Sequence, residues 1–243
     1  MKTATPELLD QIAFWNAQLE SAPPERILQW AIDRYAPKLT MATAFGTSGC
    51  VILSFLAKLI PQIPVFNIDT GYQFPETLDL LERIQREFGI KIERLSAEQS
   101  VEEYEKANGG AVYQTDSNRC CYERKIKVLE RIAPQYDAWI SGIRRDQSHS
   151  RAATQIISWD AKFGLVKIAP LAYWTGEQVW SKIIYEAIPY NVLYDQGYTS
   201  IGCAPCTRPT LPGEDERAGR WSGQNKTECG LHPSEMSLTN AQL

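Results

Sequence analysis

Five of the six cysteines in this 243-residue chain sit where thiol or metal chemistry is a better account than packing. Cys120 and Cys121 are adjacent, and Cys203 and Cys206 bracket Ala204-Pro205 in a Gly- and Pro-rich stretch. Four thiolates are the ligand count of an iron-sulfur cluster or of a structural zinc. Side chains of an extended pair point opposite ways, so Cys120 and Cys121 reach one centre only from a turn or a helix start. A cluster relaxes that demand, because each cysteine can take its own iron, whereas zinc ligands usually come in pairs with about two to four residues between them. The spacing favours a cluster. Four unrelated core cysteines is the weaker reading, since Cys203 and Cys206 lie on no apolar face.

The fifth cysteine, Cys229, lies in Glu228-Cys229-Gly230-Leu231-His232 near the C-terminus. A single cysteine on a polar stretch is usually incidental. Here His232 and several arginines are close enough in sequence to raise its thiolate fraction, which a nucleophile needs, and spacing alone leaves catalysis and accident evenly matched. Cys50 stands apart as a small residue at a helix start.

Anions would be met locally, because the formal net charge of −4 gives no general pull toward nucleic acid or an anionic membrane. Arg124 and Lys125 follow the paired cysteines, Arg144 and Arg145 follow an apolar run, and Arg151, Arg208, Arg217 and Arg220 come later. Arginines at strand ends or beside cysteine ligands suit oxyanion binding by charge-assisted forks. The turn Phe45-Gly46-Thr47-Ser48-Gly49 would expose backbone N–H groups to a phosphate or sulfate at a helix start, although it is not a Walker A loop. Asp69-Thr70-Gly71 after an apolar run could signal an aspartic protease, but one copy in an α/β pattern argues instead for the carboxyl end of a sheet strand, where open α/β folds bind nucleotides.

The elements that must position these groups follow from periodicity. Leu8, Ile12, Trp15 and Leu19, then Ile27, Trp30, Ala31 and Tyr35, predict two amphipathic N-terminal helices. Short apolar runs then alternate with helical segments: Leu39 to Phe45 as strand, Cys50 to Ile60 as helix, Val65 to Ile68 as strand, Pro75 to Phe88 as helix, Ile90 to Leu95 as strand. A helix from Cys121 to Ala133, a strand from Ala138 to Gly142 and a helix from Thr175 to Ala187 continue the series. The alternation predicts an α/β fold, an open, mostly parallel sheet with helices on both faces. One domain is expected over 1–243, with N-terminal helices to 37, an α/β core over 38–196, and loop and mobile tail over 197–243. The longest apolar stretch, Cys50 to Ile60, is far short of the ~20 residues that span a bilayer, and the start does not read as a signal peptide. A cytoplasmic location is expected, and a reducing cytosol disfavours structural disulfides.

Together, Cys120-Cys121 followed by Glu-Arg-Lys, the run Gly142 to Ser148 (GIRRDQS), Cys203-Ala204-Pro205-Cys206, the terminal ECGLH and Ile68 to Thr77 (IDTGYQFPET) resemble the assimilatory adenylyl-sulfate and phosphoadenylyl-sulfate reductases. The resemblance implies an adenine-nucleotide α-hydrolase-like fold. It implies one [4Fe-4S] cluster on Cys120, Cys121, Cys203 and Cys206, the branch that generally prefers adenylyl sulfate. It also implies Cys229 as the nucleophile, forming an S-sulfocysteine and releasing AMP, with His232 helping to hold the thiol or its adduct. Lys125, Arg144, Arg145, Arg217 and Arg220 would face the phosphosulfate, with Gly46, Thr47, Ser48, Asp69, Thr70 and Gly71 in the nucleotide site. Thioredoxin or glutaredoxin would release sulfite, and assembly into a homo-oligomer is left open. The sequence departs from the family at Ala44 to Cys50, where an acidic pair is expected and absent. A phosphoadenylyl-sulfate or dual-substrate enzyme is the rival within the class; a nucleotide-binding protein with structural zinc is the rival outside it.

Overall fold

The structure, a computed structural model, describes residues 2–224, 226 and 228–231. Two helices, α1 (Pro6–Leu19) and α2 (Pro24–Tyr35), open the chain, each with proline in its first turn, where the missing N–H costs nothing. There follow β1 (Leu39–Ala42), α3 (Thr47–Leu59), β2 (Val65–Asp69), α4 (Pro75–Phe88) and β3 (Ile92–Ser96). Three short helices, α5 (Val101–Asn108), α6 (Val112–Thr115) and α7 (Ser117–Cys121), lead into a π-helical turn, Tyr122–Ile126, and α8 (Lys127–Ile132). Then come β4 (Ala138–Ile140), β5 (Ile157–Asp160), β6 (Leu165–Ile168) and α9 (Gly176–Tyr185).

The six strands form one sheet in the order β3-β2-β1-β4-β6-β5, and only the β5–β6 pairing is antiparallel. Alternation along the strands sends side chains to two cores. Val65, Ala138, Ile140 and Val166 pack with residues of α1–α4 and α9, whereas Phe66, Ile68, Trp139 and Leu165 pack with Ile126, Val128 and Leu129. Helices therefore cover both faces, as the sequence predicts. The helix α3 is buried at every position from Thr47 to Phe55 and at Leu56, as expected of a central helix that is apolar all round.

Three features differ from the sequence expectation. A strand hairpin, β5–β6, closes one edge of the sheet. The helix expected over Cys121–Ala133 is split by its π-helical turn. The described residues after Gly197 are largely loop, as expected, but through Trp221 the stretch is anchored to the rest of the fold: Gln73 pairs with Cys203, Thr207 pairs with Arg220, and Trp221 is buried. Among the described residues, no helix is long and apolar enough to cross a membrane.

Candidate active site

The strand order itself locates the site. From β1 the chain builds outward through β2 to β3, then crosses over to β4 on the other flank of β1. Such a reversal opens a crevice beyond the carboxyl ends of the two central strands. A cleft lies there, lined by Thr43 to Thr47 (except Phe45), Ser48, Thr70, Ser141, Gly142 and the later segment 199–203. Between β1 and α3, Phe45 takes a left-handed conformation (φ 57°) with its ring buried and its N–H donated to Thr43 Oγ1. This tight turn brings the start of α3 against the end of β4. A Cβ on Gly142 would come within 3.3 Å of the Gly49 nitrogen, so glycine is what permits the approach.

Two cationic groups, Lys125 and Arg220, border this cleft and a second pocket alike. The π-helical turn carries Lys125, which lines both, together with Thr70, Cys203, Arg220 and Trp221. Burial pulls the Lys125 ammonium down, but the sulfurs of Cys203, Cys229 and Cys121 more than offset this, and its pKa lies above the usual lysine range. Arg217 is also on the cleft wall; burial and neighbouring Arg151 pull it down to about 10, still cationic at neutral pH. Cys229 is half-buried on the same wall. Beside it, Glu228 accepts from Arg151 Nε and Nη2 at 2.7 and 2.8 Å and from Arg217 Nη2 at 3.1 Å. Three buried atoms of cleft-lining residues, Gln73 Oε1, Ser141 Oγ and Arg220 Nε, have no hydrogen-bond partner in the protein.

The second pocket collects Cys120, Cys121, Cys203 and Cys206. Asp116 caps α7 by accepting from Arg119 N, and on this helix the two adjacent cysteines are about 100° apart, not 180° as on a strand, so both face one pocket. The opposing pair rides on a loop tied to the turn after β2, where Ala204 N donates to Tyr72 O at 2.7 Å and Thr70 Oγ1 meets Cys203 Sγ at 3.3 Å. Arg124, buried, donates to the carbonyls of Thr70 and Gln99 and so locks that turn to the cysteine helix. Burial, then the neighbouring sulfurs, push Cys120 up to about 12 and Cys206 upward; Cys203 is lowered, because Lys125, Thr70 and Arg220 outweigh its burial. Among the described residues no three potential ligands converge on a single ion position. Four sulfurs lining one pocket match the ligand count of a polynuclear cluster, where each iron takes its own sulfur.

Of the residues the sequence singled out, Gly46, Thr47, Ser48, Thr70, Lys125, Arg217, Arg220 and Cys229 meet in the cleft. Four of the expected nucleotide and phosphosulfate contacts do not line it. Arg144 is buried and committed to Asp146, Ser48 and Glu216. Arg145 donates to Thr154 O and stacks on Tyr173. Asp69 pairs with Arg94 and accepts from Gly71 N, and Gly71 is part of that turn. These groups shape the site from behind it. His232 lies outside the described residues. Gln147, Arg151, Tyr194 and Glu216 also line the cleft although none was assigned a role there; Gln147 carried a signal as part of the GIRRDQS run and Arg151 as one of the basic residues after β4, whereas Tyr194 and Glu216 carried none.

A sequence profile for the phosphoadenosine phosphosulfate reductase domain matches residues 38–209. An adenosine 5'-phosphosulfate reductase of Salinibacter ruber is 42% identical over 96% of this chain and 93% of its own length. One from Halalkalibacterium halodurans is 42% identical over 89% and 94%. A phosphoadenosine 5'-phosphosulfate reductase of Gloeobacter violaceus is 41% identical over 88% and 90%. Among solved structures, a phosphoadenylyl-sulfate reductase from Candida auris, in a phosphate complex, superposes with a TM-score of 0.75 at 29% identity, covering 85% of this chain and 98% of its own. An FMN adenylyltransferase from Candida glabrata shares the fold alone, with a TM-score of 0.58 at 16% identity over 98% of this chain and 84% of its own.

Proposed function

Because the chain belongs to the phosphoadenosine phosphosulfate reductase domain family, we propose that it reduces adenylyl sulfate to sulfite and AMP with a dithiol protein as reductant. The Cys229 thiolate attacks the sulfur of the phosphosulfate. An Sγ–S bond forms as the S–O bond to phosphate breaks, AMP leaves with the electron pair, and Cys229 carries an S-sulfonate. A thiolate of thioredoxin or glutaredoxin then attacks Cys229 Sγ, sulfite leaves with the bonding pair, and the reductant's second thiol resolves the mixed disulfide. Lys125, Arg217 and Arg220 stabilise negative charge building on the leaving phosphate, a role that preorganised cations fill without reorganising. The backbone at Gly46, Thr47 and Ser48, with Thr70, receives the nucleotide.

The observation that carries this reading is the presence of Cys229, Lys125, Arg217 and Arg220 on one cleft at the sheet's crossover, next to partnerless polar atoms. Cys120, Cys121, Cys203 and Cys206 would hold one [4Fe-4S] cluster. When bound, it supplies charge beside the cleft, which it shares with Lys125 and Arg220. Residues 1–243 serve this single activity as one reductase unit, and a reducing cytoplasm suits it by keeping the thiols free.

The phosphorylated nucleotide is the second reading, favoured by the name of the Gloeobacter relative. The choice of adenylyl sulfate rests on the four-cysteine set. Sulfite release with adenylyl sulfate and thioredoxin, abolished in Cys229→Ser, is the expected result. Equal or higher kcat/KM with the 3'-phosphorylated nucleotide would assign the second reading.

A further inference from the structure

We infer that Lys162, on the hairpin turn between β5 and β6, is a positioning residue that holds the nucleophile's segment in the cleft through the Gly230 carbonyl. The inference rests on the reading of Cys229 as nucleophile. Lys162 belongs to none of the runs that carry chemistry, and its sequence neighbours give no sign of a site. Yet its Nζ lies 2.8 Å from the oxygen of Gly230, the residue immediately after Cys229.

The turn that bears Lys162 is fixed independently of this contact. Asp160 Oδ1 accepts from the backbone nitrogens of Lys162 and Phe163 at 3.2 and 3.3 Å, and Gly164 N returns to Asp160 O at 2.8 Å. Phe163 anchors the turn in the core formed with Ile126 and Trp139. The receiving segment is shaped to meet it. Gly230 has φ 82°, and a Cβ there would press to 3.0 Å on Ile126 Cδ1, so the backbone passes directly over the π-helical turn that carries Lys125. Leu231 packs on the same apolar core as Phe163. On the other side of Cys229, Glu228 is gripped by Arg151 and Arg217.

Cys229 is thus fixed from both sides, by a carboxylate before it that Arg151 and Arg217 hold and by a carbonyl after it that Lys162 holds. A hydrogen bond from an ammonium to a carbonyl orients the peptide group and therefore the direction of Sγ, and small errors in that direction are costly to a displacement at sulfur. No part of this contact touches substrate, so it bears on the rate of attack and not on nucleotide affinity.

The test is Lys162→Met, which keeps the apolar stem, and Lys162→Arg, which keeps the charge. Each cluster-containing enzyme is mixed with adenylyl sulfate without reductant, and sulfonate on the Cys229 peptide is followed by quenched mass spectrometry. The expected result for Lys162→Met is adduct formation about tenfold slower at saturating nucleotide, an unchanged nucleotide Kd, and recovery in Lys162→Arg. Wild-type adduct rates in Lys162→Met overturn the inference. So does a slow Lys162→Met whose melting temperature falls and which Lys162→Arg does not restore. Absence of adduct in the wild-type enzyme would instead overturn the assignment of Cys229 as nucleophile.

Discussion

The carboxylate side of the Cys229 clamp can be weighed directly. Glu228 accepts three hydrogen bonds, at 2.7, 2.8 and 3.1 Å, from two guanidinium groups. The side chains of Arg151, Arg217 and Glu228 are 11%, 14% and 13% exposed, so solvent screens the contacts only weakly. Hydrogen bonds to charged groups are each worth about 1.5–3 kcal/mol net, and desolvation of the three ions offsets part of their sum. In Glu228→Gln the amide oxygen still accepts one bond, while the charge is gone and the two arginines face each other. A loss of about 2 kcal/mol from the docked segment follows, which raises the undocked population about thirtyfold. The assay is the rate of Cys229 alkylation by iodoacetamide, read on the Cys229 peptide across pH so that access is separated from thiolate fraction. A thirtyfold faster limiting rate is expected in Glu228→Gln. An unchanged rate would show that the clamp does not hold the segment and would refute the reasoning.

Lys125→Met should lower kcat by about 10²–10³-fold with little change in the fold, because it removes a preorganised cation from the leaving-group side; steady-state kinetics beside a circular dichroism spectrum checks this. Cys203→Ser should lose iron, sulfide and activity together, measured on purified protein, and a fully active iron-free variant would count against a required cluster. Asp160 is raised above its ordinary 3.8 chiefly by burial. Its folded form therefore binds the proton more tightly than the unfolded chain, and its ionisation weakens the fold as pH rises from about 3.8 through the raised value. Asp160→Asn keeps the turn's acceptor and removes that penalty, so urea unfolding should show a variant at least as stable at pH 7 and relatively less favoured near pH 4. The opposite ordering would contradict the sign.

Much of the fold was legible because its signals are local. The helix expected from Pro75 to Phe88 is α4, and the apolar runs at Leu39, Val65 and Ala138 become adjacent parallel strands. The β5–β6 hairpin was not, since Ile157–Asp160 and Leu165–Ile168 are four-residue strands whose pairing is set by the sheet edge and not by their own periodicity. Helix α5 did carry a signal, the capping box of Ser100 and Glu103, that the apolar pattern alone passes over. At the site, residue type and spacing singled out Cys120, Cys121, Cys203, Cys206 and Lys125, and these line one pocket. They could not tell Arg144 from Arg217. Both are arginines among charged neighbours, but only tertiary packing turns Arg144 onto Ser48 and Glu216 and leaves Arg217 on the cleft wall. Lys162 was invisible for the same reason, because its partner is a backbone carbonyl 68 positions away.

The central claim is that Cys229 takes the sulfonyl group before any reductant acts. It is tested most directly by mixing the enzyme with adenylyl sulfate alone, then measuring AMP released and mapping the modified peptide by mass spectrometry. The account predicts one AMP per enzyme and a single sulfonate on Cys229. AMP release without that adduct, or an adduct on another cysteine, would contradict it.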